Sequence, residues 1–178
     1  MELPKLLSLR LCPASLALVL SACSTASSSS QLRFNGRLWK VGHESSTPDG
    51  SIVEYVLPHE SVRDWTELLT MQWIPQDFVN YKNEGLIQEI KADLLRECPG
   101  AFWQTISAIP GEVIFEWRTA DCPSMATQHE IARVRFTETG IRRIAYVKKG
   151  KGLSARERNI VLNLLTAMAL PSRGDSLP

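Results

Sequence analysis

The side chains that titrate near neutral pH are His43, His59 and His129, and they are scattered over about 90 residues of a 178-residue chain. A metal centre needs several nitrogen or sulfur ligands converging, usually at short helical or strand spacing. Neither HExxH nor DxD occurs, and the adjacent His129-Glu130 does not supply one. Surface or capping roles are expected for the histidines, with no metal and no cofactor. No serine sits in a Gly-x-Ser-x-Gly elbow. Gly150-Lys151-Gly152 lacks the first glycine, the Lys-Ser/Thr ending and the strand context of a phosphate-cradling loop. Carboxylate pairs such as Glu112 and Glu116, or Glu84 and Glu89, do glycosidase chemistry only when they face each other across a cleft, and here they read as a solvated face. No catalytic residue is assigned, and the chain is expected not to be an enzyme. Among the five tryptophans, Trp65 and Trp117 fit apolar faces and belong to the core. Trp73 and Trp103 are the better candidates for exposure or for lining a ligand groove.

The remaining reactive residues are the four cysteines, Cys12, Cys23, Cys98 and Cys122. Lys5 and Arg10 open a positive segment, Leu11 to Leu20 is apolar, and small residues follow at Ser21 and Ala22. Ten apolar residues fall short of the roughly 20 that a spanning helix needs, so residues 1–22 read as a cleaved secretory signal. Leu20-Ser21-Ala22-Cys23 resembles the lipobox of bacterial lipoprotein precursors. The resemblance implies that Cys23 receives a diacylglyceryl group, that a peptidase cuts before it, and that the new amine is acylated. Two or three acyl chains anchor a protein stably, at ~0.8 kcal/mol per buried CH₂. Residues 23–31 then form the lipidated cysteine and a Ser-rich tether. Ser24 after the cysteine, rather than Asp, resembles an outer-membrane address, with the domain on the periplasmic face. Inner-membrane anchoring is the alternative.

Export places Cys98 and Cys122 in an oxidising compartment, where a disulfide is the default. It would close a loop of roughly 25 residues, worth about 3 kcal/mol in the chain-entropy model. A metal or redox pair lacks its spacing, and two free thiols are the remaining option. Net charge is only +1, which gives no nucleic-acid footprint. The sign is nevertheless segregated: residues 23–122 carry 8 Lys+Arg against 14 Asp+Glu, and residues 123–178 carry 10 against 4. Arg142, Arg143, Lys148, Lys149 and Lys151, with Arg156 and Arg158, make a basic stretch that could meet anionic headgroups, envelope polymer or an acidic protein face. The plainer reading is a solvated face partly paired with the acidic half.

The elements that must position these residues follow from periodicity and turn chemistry. Leu38–Val41 and Ile52–Leu57 read as strands around the turn Thr47-Pro48-Asp49-Gly50. Ser61-Val62-Arg63-Asp64 resembles a capping box and predicts a short helix carrying Trp65, Leu68 and Leu69, followed by an extended Thr70–Ile74. A helix is expected over Tyr81–Glu97, with Leu86, Ile87, Ile90, Leu94 and Leu95 as its apolar stripe. Phe102–Ile109 and Glu112–Arg118 flank Pro110-Gly111, and Glu130–Phe136 and Ile141–Lys148 flank Gly140. A second capping box, Ser154 to Glu157, opens a final helix with Ile160, Val161, Leu164, Leu165 and Met168. The expected fold is a single α+β domain over residues 32–170, a mainly antiparallel sheet with two or three packed helices, followed by a flexible tail at 171–178. This order of elements is similar to PsbP and Mog1-like α/β sandwich domains, a likeness of fold that implies no activity. The expected role is a non-enzymatic envelope lipoprotein that meets the membrane through its lipid and an envelope protein through its domain. A small-ligand carrier with an aromatic-lined pocket and an enzyme of unrecognised class are the alternatives.

Overall fold

Among the described residues, eight strands and two helices are fixed by a few local signals and one long-range pairing. The structure, a computed structural model, describes residues 31–76 and 83–170, with backbone only at residues 83 and 84. The signal, Cys23, the tether as far as Ser30, Tyr81 and Lys82, and the tail from Pro171 lie outside the described residues. A first meander comprises β1 (Gln31–Phe34), β2 (Arg37–Thr47), β3 (Gly50–Val56) and β4 (Glu67–Pro75), and leads into α1 (Asn83–Glu97). A second comprises β5 (Phe102–Ile109), β6 (Glu112–Thr119), β7 (Gln128–Thr137) and β8 (Gly140–Lys149), and leads into α2 (Ala155–Ala167). The two join edge to edge in one antiparallel sheet of order β1-β2-β3-β4-β8-β7-β6-β5. The seam is the β4–β8 ladder, running from Glu67 opposite Lys148 to Pro75 opposite Gly140.

Two expectations are corrected here. The helix after Ser61 does not form. Ser61 Oγ does accept the Asp64 amide at 3.2 Å, but the segment closes as a turn bridged between those two residues, and β4 begins at Glu67. The stripe Trp65, Leu68, Leu69 suited a helix. Strand alternation instead sends Leu68 to a cluster with Val56 and Val147, and Leu69 to the main core on the other face. The second correction is an extra strand. β1 starts at Gln31, where the tether was to end, and a two-residue turn, Asn35-Gly36, returns it into β2 with both residues at positive φ. Asn-Gly is the preferred pair for that turn.

The sheet curls. Phe34 of β1 stacks on Tyr146 of β8 with ring centroids 5.7 Å apart. Four ladder steps separate those strands, about 19 Å in a flat sheet at ~4.8 Å per step. The fold-back occurs where Arg37–Trp39 outrun β3 and pair with β1 alone. It is aided by a register shift at Gly42, since bulges bend the strand that carries them. A side chain at Gly42 would stand 2.9 Å from Val62 and 3.1 Å from Val56. The β1–β2 hairpin and α2 thus close over a concave face whose core includes Trp39, Tyr55, Leu69, Ile131, Ile144, Val161 and Leu165. On the convex face α1 seats Leu86, Ile87 and Leu94 against Phe115, Trp117, Ala132, Val134, Ile141 and Ala145. A disulfide joins Cys98, at the end of α1, to Cys122 in the β6–β7 loop, with Cα atoms 5.2 Å apart. It ties that helix to the second meander. The helices therefore lie on opposite faces of an α+β sandwich dominated by its sheet.

Candidate functional site

Among the described residues, a dense group of titratable side chains forms a polar layer on the concave face, under and around α2. Alternation along β6, β7 and β8 turns Glu112 and Glu116, His129, Arg133 and Arg135, and Lys148 to this side. His129 is 2% exposed, so of the surface or capping role expected for it the surface alternative does not hold. Its Nδ1 accepts the Leu153 amide at 3.2 Å, so the ring proton lies on Nε2, which faces Glu116 Oε2 at 3.3 Å. Glu116 also accepts from Arg158 of α2, at 2.6 Å from Nε and 3.1 Å from Nη2. Burial holds His129 below its ordinary range, partly offset by Glu116. Burial pushes Glu116 upward, but the Arg158 and His129 hydrogen bonds outweigh it and the carboxyl ends below its ordinary range. Both imidazole nitrogens and both carboxylate oxygens of this pair are thus occupied by protein donors or acceptors.

The same pattern repeats at the other end of α2. Arg133, 5% exposed, places Nη1 at 3.1 Å from the Leu165 carbonyl and 3.0 Å from those of Thr166 and Met168. Its Nη2 donates to Glu112 at 2.8 Å, which also accepts from Arg135 Nε at 2.9 Å. α2 has no basic residue in its last turn, so a sheet arginine supplies the cation that orphan carbonyls and the helix dipole favour. At the first turn the expected capping box is complete between Ser154 and Glu157. Glu157 also accepts from Lys148 at 2.7 Å; these bonds, Lys148 first and then Ser154, hold it down to about 2. A third cluster fastens the fold-back: Glu67 of β4 accepts from both Arg37 of β2 and Tyr146 of β8. Burial pushes Glu67 up, and the bonds from Arg37 and Tyr146 more than offset it. Tyr146 is raised by burial and by Glu67. Chemically this layer is a set of fastenings between sheet, α2 and the β1–β2 hairpin.

The concave spaces lie elsewhere. Between α1 and the convex face is a cavity of about 80 Å³, walled by Ile74, Leu86, Ile90, Leu94, Trp117, Val134 and Ile141, with Gln72, Glu130 and Arg143 as its polar lining. Arg143 Nη2 donates to Glu130 Oε1 at 2.7 Å. A void of about 190 Å³ lies at the surface beside the β2–β3 turn. Neither reaches the ~300 Å³ at which small-molecule pockets begin.

The sequence-predicted basic stretch is divided by the pleat. Arg142 and Lys148 point to the concave side, Arg143 and Lys149 to the convex side, and Lys151 is exposed in the loop beyond β8. Lys148 is paired with Glu157, Arg143 with Glu130, and Lys149 sits 4.1 Å from the centre of the Trp65 ring. Trp73, expected to be a candidate for exposure, is 5% exposed; Trp117 is core as expected, whereas Trp65 is half-buried and packs at the edge of the third cluster. Trp103 is half-buried, stacked on Phe115 at 4.5 Å. His43 lies in β2 opposite Glu54, and His59 is exposed in the β3–β4 connection. Among the described residues no group of three or more His, Cys, Asp or Glu could hold a metal ion, and no helix is long and apolar enough to cross a membrane. His129, Glu116, Arg133 and Arg158 form the unit that sequence reasoning missed. The one visible signal lay in β6 and β7, where Glu116, His129 and Arg133 stand at strand positions on a face that should be buried; Arg158 belongs to α2. Compared with protein families, with curated proteins and with solved structures, the chain has no significant match.

Proposed function

We propose that this chain is an exported lipoprotein, anchored by acyl chains on Cys23. Its α+β domain serves as a non-enzymatic accessory or interaction module at the periplasmic face of the outer membrane, with inner-membrane anchoring as the alternative address. The observation that carries the reading is the sequence Leu20-Ser21-Ala22-Cys23 at the end of a charged and then apolar leader, with β1 beginning only eight residues later at Gln31. The Cys98–Cys122 disulfide supports it, because such bonds persist in oxidising compartments. The polar layer supports the non-enzymatic part: its shifted groups are already engaged in holding α2 and the β1–β2 hairpin.

The test is metabolic labelling with a fatty-acid probe, combined with membrane fractionation. The wild-type chain is expected to be labelled, shortened and membrane-bound, and Cys23→Ser to be unlabelled and unprocessed at that site. A Cys23→Ser chain that is still shortened, labelled and retained would overturn the proposal. The small-ligand reading rests on the α1 cavity, and at about 80 Å³ it requires α1 to move before a ligand of ordinary size fits.

A further inference from the structure

The two edges of the sheet are guarded very differently. β1 is four residues long and carries Arg33. β5 is eight residues, Phe-Trp-Gln-Thr-Ile-Ser-Ala-Ile, with no charge, proline or glycine. A long, neutral edge of β-favouring residues offers its free N–H and C=O groups to another strand, and proteins ordinarily block such edges with charges, proline or bulges, of which β5 carries a bulge at Ile106. Among the described residues, two of the three exposed large hydrophobic residues are on it: Phe102 at 38% and Ile109 at 59%.

We propose that β5 is a self-association edge, along which two copies of this chain pair antiparallel about a two-fold axis, with Phe102 of each opposite Ile109 of the other. The register follows from an irregularity. Ile106 is an extra residue between Thr105 and Ser107, and it packs against the concave core. An unbulged eight-residue strand laid on itself about its midpoint would set residues of opposite faces against each other, because the side-chain period is two. The bulge corrects that parity. Phe102 and Gln104 share the concave face with Ser107 and Ile109, since their β6 neighbours are Arg118, Glu116, Ile114 and Glu112. Trp103 and Ala108 share the convex face, beside Trp117 and Val113. Self-pairing then sets Phe102 against Ile109, Trp103 against Ala108 and Gln104 against Ser107 on shared faces, and leaves Thr105 and Ile106, which face opposite ways, unmatched at the axis.

Along the concave row the sequence across the junction is Arg118, Phe102, then Ile109 and Glu112 of the second copy. Arg118 and that Glu112 would stand about 14 Å apart, and Glu112 is already held by Arg133 and Arg135, so the register rests on the match of side chains and not on a new ion pair. Arg118 already lies over the Phe102 ring at 4.3 Å. Along the convex row Trp117 and Trp103 meet Ala108 and Val113 of the second copy. Each half of the junction is complementary to the other, and this points to a second copy rather than to an unrelated extended segment.

The inference does not depend on the anchor and is tested with the full chain in detergent solution. Gln104→Cys combined with Ser107→Cys is expected to give a disulfide-linked dimer on mild oxidation. Opposite residues in an antiparallel pair stand about 4.5–5.5 Å apart. Within one chain the bulge brings the two positions to two register steps apart, about 7 Å, at the outer limit for a bridge, so the link is scored by the doubled mass of the product. Either cysteine alone is expected not to link, because its own symmetry mate is three positions out of register. In sedimentation equilibrium the unmodified chain is expected to dimerise with concentration. Phe102→Lys combined with Ile109→Lys, which sets like charges opposite each other twice, is expected to be monomeric; if that variant misfolds, the cross-linking result decides alone. A monomer at every concentration, a dimer that survives the double lysine change in a folded protein, or cross-links from Gln104→Cys to other proteins without self-linkage would each overturn the proposal.

Discussion

Arg133→Met isolates the fastening at the end of α2. The change keeps most of the aliphatic volume and removes the guanidinium, which serves three α2 carbonyls through Nη1 and Glu112 through Nη2. Losing one partner of a buried ion pair costs about 3–5 kcal/mol, and losing a well-placed cation at a helix C-terminus adds about 0.3–1 kcal/mol. Glu112 keeps Arg135, which sits 2.7 Å away and softens the first figure. A net cost of roughly 3 kcal/mol follows, or about 10 °C in Tm for a domain of this size. Arg135→Met is the internal control. Arg135 bonds the same carboxylate, but its side chain is 47% exposed, and exposed pairs contribute about 1 kcal/mol or less. Urea unfolding followed by tryptophan fluorescence gives both values, and hydrogen exchange should locate the loss in the amides of α2. Equal costs for the two substitutions, or a cost below about 1 kcal/mol for Arg133→Met, would refute the assignment of Arg133 as a helix cap supplied by the sheet.

Two further outcomes follow from the same layer and from the seam. Stability is expected to fall in two stages on acidification. His129 is held below its ordinary 6.5, so the unfolded chain takes up its proton first and stability declines as pH drops below 6.5 toward the lower folded value. Glu67, Glu112 and Glu116 are held below their ordinary 4.5, so their contribution is complete above 4.5 and is lost as pH falls through the depressed values. Urea midpoints measured across pH are expected to lose the first stage in His129→Gln, with a smaller reduction of the second, because His129 helps hold Glu116 down. Gly140→Ala is expected to be among the most damaging single changes. At φ +144° its new methyl would stand 2.2 Å from the Ile74 carbonyl across the seam, so β4 and β8 must part there. A cost above roughly 3 kcal/mol is expected from backbone strain and overpacking, read as a drop in Tm with the loss centred on β4 and β8 amides.

The parts of the fold legible in the sequence are those whose cause is local. Thr47-Pro48-Asp49-Gly50, Pro110-Gly111 and Gly140 fix three hairpins within a few residues, and Ser154 with Glu157 begins α2 as the capping box requires. The Asn35-Gly36 turn is equally local, yet the run before it, Gln31–Phe34, is only four residues long and follows directly on a Ser-rich segment, which hides β1. The segment after Ser61 misleads for a different reason. Its helical cap bond is made, but Leu68 and Leu69 are each claimed by a different face of a sheet whose other half lies about 80 residues away. His129 and the basic stretch fail in the same way. What His129 does depends on Glu116, 13 residues before it, and on Arg158, which shares that carboxylate. Whether Arg142, Arg143, Lys148 and Lys149 form one patch depends on a pleat that divides them.

The seam has a consequence for the order in which the molecule is made. Glu67 and Tyr146, bonded across it, are 79 residues apart, whereas each meander is built from neighbours in sequence. A chain delivered N-terminus first finishes β1–β4 while β8 is still to come, and must pay the entropy of a long closure before the two halves meet. Until then β4 is an open edge, with Leu68 on one side and Leu69, Met71 and Trp73 on the other, the kind of surface on which newly delivered chains stick to one another. The interval between the emergence of Pro75 and that of Lys149 is thus the molecule's most vulnerable period, and its length is set by the speed of delivery rather than by any residue in the finished fold.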